Sequence, residues 1–156
     1  MYKNVLVGAD DSATALRAVA GAVELARTLG AKLHIVTAYR PEAVLSSHAL
    51  VTVGYFPTFA DFAYESEFAP DEAAEALLAR LGSLATAANV QTEFHAVTGE
   101  PADAIVRLAN QVGADLIVVG NKGMRGRKRV LGSVPNSIAH HAQCSVLIID
   151  TTGDER

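Results

Sequence analysis

The stretch Asp115 to Val134, DLIVVGNKGMRGRKRVLGSV, decides how this chain folds. Leu116 to Val119 is a short, continuous apolar run and reads as a strand buried on both faces. It gives way to glycines at 120, 123 and 126, with Arg125, Arg127, Lys128 and Arg129 between and after them. Gly132-Ser133-Val134 then marks the start of a helix. A strand that feeds a glycine-rich basic loop and then opens a helix suits a phosphate. Backbone N–H groups can approach closely where no Cβ intervenes, and a helix N-terminus adds unpaired donors and a partial positive charge. Loop glycines also serve simply to turn the chain, and on this stretch alone that reading stays open.

The same alternation of strand and helix extends in both directions. Val5-Leu6-Val7 is a strand that stops at Gly8-Ala9-Asp10-Asp11-Ser12, and Asp11 or Ser12 can cap a helix that Gly30 closes. That helix carries Leu16, Val19, Ala20, Val23, Ala26 and Leu29 at helical spacing. Lys32 to Ala38 is the second strand. Residues 41–70 follow no period and hold six of the nine aromatic residues, which reads as an irregular insertion. Pro70-Asp71-Glu72 opens a helix to about residue 88, with Leu77, Leu78, Leu81 and Leu84 inward. A third strand is expected over 90–97, a helix from Pro101 to Val112 stopped by Gly113, a helix over 134–142, and a last strand from Ser145 to Ile149. Residues 151–156 read as a frayed tail on a single domain of 1–150.

Short apolar strands alternating with helices imply a parallel sheet covered on both faces. The expected form is an α/β, doubly wound, five-stranded parallel sheet in order 3-2-1-4-5, with two helices on each face. Ligands in such sheets sit beyond the carboxyl ends of the strands where the strand order reverses, which here is between strands one and four. The last strand is then an apolar edge, and edges of that kind are seldom left bare. A two-fold homodimer through Ser145–Ile149 is therefore expected.

Composition narrows the function. Half the residues are hydrophobic and 19% are charged, enough apolar surface to form a core. A net charge of −4 argues against general nucleic-acid binding, so the cations of 125–129 are a local feature. Cys144 is the single cysteine and cannot form an internal disulfide, as suits a reducing compartment. MYKNVLVGADD does not read as a signal peptide, and no apolar stretch approaches the ~18–20 residues that cross a bilayer. A cytoplasmic location is expected, with no membrane or nucleic-acid partner.

Three features together resemble the universal stress protein family over nearly the whole chain: Gly8-x-Asp10-x-Ser12 after strand one, Gly99-Glu100-Pro101, and Gly120-x-x-Gly123…Gly132-Ser133-Val134 before a final apolar strand. The resemblance implies a Rossmann-like fold, a homodimer, and, in one branch of the family, ATP binding. That branch has nine residues between its Gly-x-x-Gly and Gly-Ser/Thr; here residues 124–131 intervene, one fewer. It implies contacts from Gly8, Asp10, Ala38, Val119, Gly120, Gly123, Gly132, Ser133 and Val134. Ala38 matches a position whose backbone meets the adenine edge, and Gly8 and Val119 match the floor. Asp10 can accept from ribose hydroxyls or face the phosphates through Mg²⁺, and it can equally be a loop or helix-cap aspartate. The implied cofactor is ATP, with AMP and cyclic nucleotides as alternatives.

Other chemistry finds less footing. There is no Gly-x-x-x-x-Gly-Lys-Ser/Thr loop and no Gly-x-Gly-x-x-Gly after strand one. His140-His141 reads as a helix end, since adjacent helical residues point about 100° apart. His34 and His95 fall in strands and His48 in the irregular segment, with no motif linking them. No metal site and no catalytic set is read, so ATP hydrolysis is expected to be slow at most. A nucleotide-free dimeric scaffold is the competing function.

Overall fold

A computed structural model describes residues 1–10, 12–39, 70–121 and 133–151. The irregular segment, the basic cluster Arg125–Arg129 and the glycines at 123, 126 and 132 lie outside the described residues. The elements are β1 (Asn4–Gly8), α1 (Ala13–Leu29), β2 (Lys32–Tyr39), α2 (Pro70–Ala87), β3 (Thr92–Thr98), α3 (Pro101–Val112), β4 (Leu116–Gly120), α4 (Val134–His141) and β5 (Ser145–Ile149). All pairings are parallel and the strand order is β3-β2-β1-β4-β5, as the alternation implied.

The sheet's two faces carry separate cores. Val5, Val7, Leu33, Ile35, Leu116 and Val118 point toward α1 and α2, and Leu6, Val36, Ile117 and Val119 point toward α3 and α4. Strands with a core on both sides read as unbroken apolar runs, which is why β1 and β4 lack alternation. On α1 the inward face is Ala15, Ala18, Val19, Ala22, Val23 and Ala26. Ala20 is exposed, contrary to expectation, because the helix turns its small alanines to the sheet and packs close. On α2, Leu78 and Leu81 are buried but Leu84 is exposed, its expected place taken by Ala85.

Local chemistry sets the ends of these elements. Ser12 caps α1, its side chain accepting from the Ala15 N–H. Gly30 and Gly113 terminate α1 and α3 in the left-handed region at φ 62° and 64°. Beyond them, the Ala31 and Ala114 N–H groups return to Ala26 and Ala109 at 2.9 and 2.8 Å. At the sheet's amino edge the Asp115 carboxylate accepts from the Lys3 and Asn4 N–H groups at 2.8 and 3.1 Å, fixing the start of β1 against β4.

Thr151 does not belong to a frayed tail, and residues 152–156 lie outside the described residues. Thr151 is fully buried and held on three sides, as described below. β5 is an edge, and Leu147 and Ile148 are exposed along it. Among the described residues no helix is long and apolar enough to cross a membrane.

A side chain built at Gly30 or Gly113 meets open space, so substitution there tests backbone strain alone. Gly30→Ala and Gly113→Ala are each expected to cost about 1 kcal/mol, and Gly30→Asn less, since asparagine tolerates this region. Urea unfolding checks it; an unchanged midpoint in both alanine variants contradicts it.

Candidate nucleotide site

β1 leads to β2 on one side and β4 arrives on its other side, so the chain reverses its winding between β1 and β4. Above that junction lies a cleft of about 360 Å³ lined by Gly8, Ala9, Asp10, Ser12, Thr14, Ala15, Ala38, Pro101, Ile105, Val119, Gly120, Ser133, Val134 and Pro135. Gly8, Asp10, Ala38, Val119, Gly120, Ser133 and Val134, singled out in the sequence, thus border one space. Gly123 and Gly132 lie outside the described residues. Ala9, Ser12, Thr14, Ala15, Pro101, Ile105 and Pro135 join the lining. Of these, Ser12 and Pro101 stand in the sequence motifs; the others carry no signal short of the fold.

Hydrogen bonds tie the described residues of the strand-one loop. The Ala9 N–H donates to the Val36 carbonyl at 2.9 Å, tying the loop to β2. Asp10 Oδ1 accepts from the Ser12 N–H at 3.0 Å and from the Ser12 hydroxyl, which also lies 2.8 Å from the Thr14 hydroxyl. Asp10 is therefore a turn-forming aspartate at the start of α1, and its carboxylate is also exposed at the cleft. The two roles the sequence left open are compatible.

Three helices begin at the cleft: α1 through Thr14 and Ala15, α3 through Pro101, and α4 through Ser133, Val134 and Pro135. Neither α1 nor α4 has an acid in its first turn, although the Asp10 carboxylate stands at the Ser12 cap of α1. The Ser133 side chain makes no capping hydrogen bond to α4.

Gly8 and Gly120 let neighbouring side chains pack close against the strand ends. A Cβ on Gly8 would stand 2.8 Å from Ile105 Cδ1, and one on Gly120 would stand 3.0 Å from Thr151 Cγ2. Thr151 is part of a knot behind the cleft. Asn121 Oδ1 accepts from the Thr151 N–H at 3.0 Å and from its hydroxyl at 2.9 Å. Asn121 Nδ2 donates to Asp150 Oδ1 at 2.9 Å, and Arg17 Nη1 donates to the Thr151 carbonyl, also at 2.9 Å.

The remaining candidates resolve simply. His141 Nδ1 lies 2.7 Å from the Ser137 carbonyl at the end of α4, the role read for a helix-end imidazole. Cys144 packs against the α3/α4 core, and burial, with Asp115 nearby, pushes its thiol up. His34 and His95 meet across β2 and β3 with Nδ1 and Nε2 3.1 Å apart, a contact made by strand register that no sequence motif announces.

A doubly wound parallel sheet with a cleft over its switch point, rimmed by helix N-termini, is the Rossmann-like α/β architecture. The chain belongs to the universal stress protein family, whose family model matches residues 1–150. Universal stress protein Rv1636 of Mycobacterium tuberculosis H37Rv is 38% identical over 154 residues, covering 97% of this chain and 98% of that one. YxiE of Bacillus subtilis is 33% identical over 150 residues, with 96% and 99% covered. A solved universal stress protein in complex with cAMP superposes with a TM-score of 0.73 at 36% identity, covering 97% of this chain and 98% of that one.

Two measurements probe this region. Asn121→Ala strips the acceptor from a buried N–H and a buried hydroxyl and is expected to cost about 2–3 kcal/mol, against about 1 kcal/mol for Thr151→Val; equal losses in urea unfolding contradict the knot. The second concerns pH. Burial, then the charges of His95 and Lys32, holds His34 below its ordinary value against the pull of Glu93; burial also lowers His95. The unfolded chain thus binds protons first. Stability is expected to be full above about pH 7 and to decline as pH falls through ~6.5 toward the lower folded values. The decline in unfolding midpoint between pH 7.5 and 5.5 should shrink in His95→Gln, and an undiminished decline counts against the assignment.

Proposed function

We propose that the protein binds an adenine nucleotide, ATP foremost, in the cleft above β1, β2 and β4, and serves as a stress-response or signalling module through its bound state. The observation that carries this reading is the convergence of three helix starts and a turn-held aspartate on one cleft at the switch point. The α4 start supplies a positive end for phosphates. Asp10 supplies an acceptor for ribose hydroxyls or for Mg²⁺ accompanying the phosphates. Val119 and Ile105 offer apolar wall to a base beside the Ala38 backbone. The volume falls in the range of small-ligand sites, roughly 300–1,000 Å³. The cAMP complex of a 36%-identical relative supports an adenine nucleotide as the class of ligand.

Hydrolysis is not the main activity in this reading, because among the described residues the lining offers no imidazole and no paired carboxylates to activate water. A second reading, a homodimeric scaffold, draws on the exposed Leu147 and Ile148 of the β5 edge. The two combine in a dimer that pairs β5 with β5 while each protomer binds its own nucleotide.

Calorimetry with ATP, AMP and cAMP tests the site. Gly123→Val and Gly132→Val place a branched side chain where phosphate oxygens would approach and are expected to abolish ATP binding. Asp10→Ala is expected to weaken binding about tenfold, or ~1.4 kcal/mol. Unchanged ATP affinity in both glycine variants overturns the assignment. A monomer by light scattering at micromolar concentration overturns the dimer.

A further inference from the structure

Residues two apart on a strand share a face, so Lys32 and His34 on β2 lie on the same side as Glu93 and His95 on β3. Register places His34 opposite Glu93 and Val36 opposite His95. This is the α3/α4 face, and Glu93 and His95 stand on the sheet's edge strand. His34 Nδ1 lies 3.1 Å from His95 Nε2 and 3.5 Å from Glu93 Oε2. One ligand atom from each residue falls within 4.8 Å of the other two. A tetrahedral ion with bonds of ~2.0–2.1 Å separates its ligand atoms by about 3.4 Å, close to both measured contacts.

The surroundings hold these atoms in place. The His34 ring is buried, and its other nitrogen, Nε2, is enclosed with no hydrogen-bond partner. Among the described residues its polar contacts run through Nδ1 toward His95 and Glu93. Lys32 Nζ grips Glu93 Oε1 at 2.6 Å, so Oε2 is the oxygen turned to the imidazoles. The two rings stack at 5.3 Å, leaving their facing nitrogens edge to edge. Burial keeps both imidazoles neutral near pH 7, the form that ligates. The Glu93 side chain is half exposed, which gives an ion a route from solvent and leaves room for water as a fourth ligand.

We propose that His34, Glu93 and His95 form a binding site for a divalent transition-metal ion of the Zn²⁺ class. Two imidazoles and one carboxylate are the donor set such an ion takes, and they do not suit Mg²⁺ or Ca²⁺, which favour oxygen. Of the two facing nitrogens one carries the proton of their hydrogen bond; when the ion binds, that ring's proton moves to its far nitrogen, so both facing nitrogens present lone pairs. The site is distinct from the nucleotide cleft: His34 precedes Ala38 by four residues, about 13 Å along the strand. Its effect is to pin the edge strand β3 to β2.

Metal-free full-length protein titrated with Zn²⁺ by calorimetry, and with Co²⁺ by visible absorption, tests the proposal. One ion per chain is expected, with the intense d–d bands of tetrahedral Co²⁺ and a rise in thermal midpoint. His95→Ala and Glu93→Gln change edge-strand residues, and each is expected to weaken binding at least tenfold, whereas His140→Ala/His141→Ala leaves it unchanged. His34→Gln risks misfolding a buried position and is not needed. Zn²⁺ binding undiminished in both His95→Ala and Glu93→Gln places the ion elsewhere and overturns the proposal. So does an absence of binding at equimolar, micromolar concentrations, which would leave the cluster a hydrogen-bonded ladder across the sheet edge.

Discussion

The parallel pairing of β1 with β4, from Val5 against Leu116 to Val7 against Val118, is the joint on which the molecule depends. Right-handed crossovers carry the chain from β1 outward to β3 with α1 and α2 on one face. The return from β3 to β4 passes behind β2 and β1, so α3 and α4 take the other face. At this joint the neighbouring strands β1 and β4 send their chains to opposite faces, and the cleft opens above it. Asp115 locks the joint at its amino end through two backbone N–H groups. Asn121 locks the carboxyl end of β4 to the segment after β5.

That arrangement explains why the cleft is shaped by packing more than by its polar groups. Ile105 and Thr151 occupy the directions in which side chains at Gly8 and Gly120 would point. These glycines therefore bring α3 and the chain after β5 close to the strand ends, and the backbone at the floor is a by-product of that approach. Asp10 shows the same economy. Its carboxylate forms the turn that starts α1, and the turn is what presents it to the cleft.

Much of this was legible in the sequence because the signals were local. Ser145–Ile149 is the last strand to the residue, since a continuous apolar run flanked by polar residues leaves little choice of ends. Gly30 and Gly113 marked their helix ends because the left-handed conformation excludes most other residues. β3 starts at Thr92 and not at Val90, because Val90 still belongs to the turn closing α2, its N–H donating to the Ala85 carbonyl at 3.2 Å. Seven of the nine residues implied by resemblance gather at one cleft, since each ends a strand or starts a helix. What stayed hidden depends on distant partners. Thr151 looked like tail because its anchor, Asn121, lies 30 residues away. His34 and His95 looked unrelated because the register of two strands, separated by 61 residues, brings them together.

The knot at Thr151 and the exposed Met1 lie at opposite ends of the strands. Met1 is fully exposed ahead of β1, at the amino edge of the sheet and away from the cleft. Thr151 lies beside Gly120, which borders the cleft. A fluorophore or an affinity handle attached at Met1 would therefore be carried on the far side of the sheet, clear of the approach of a ligand.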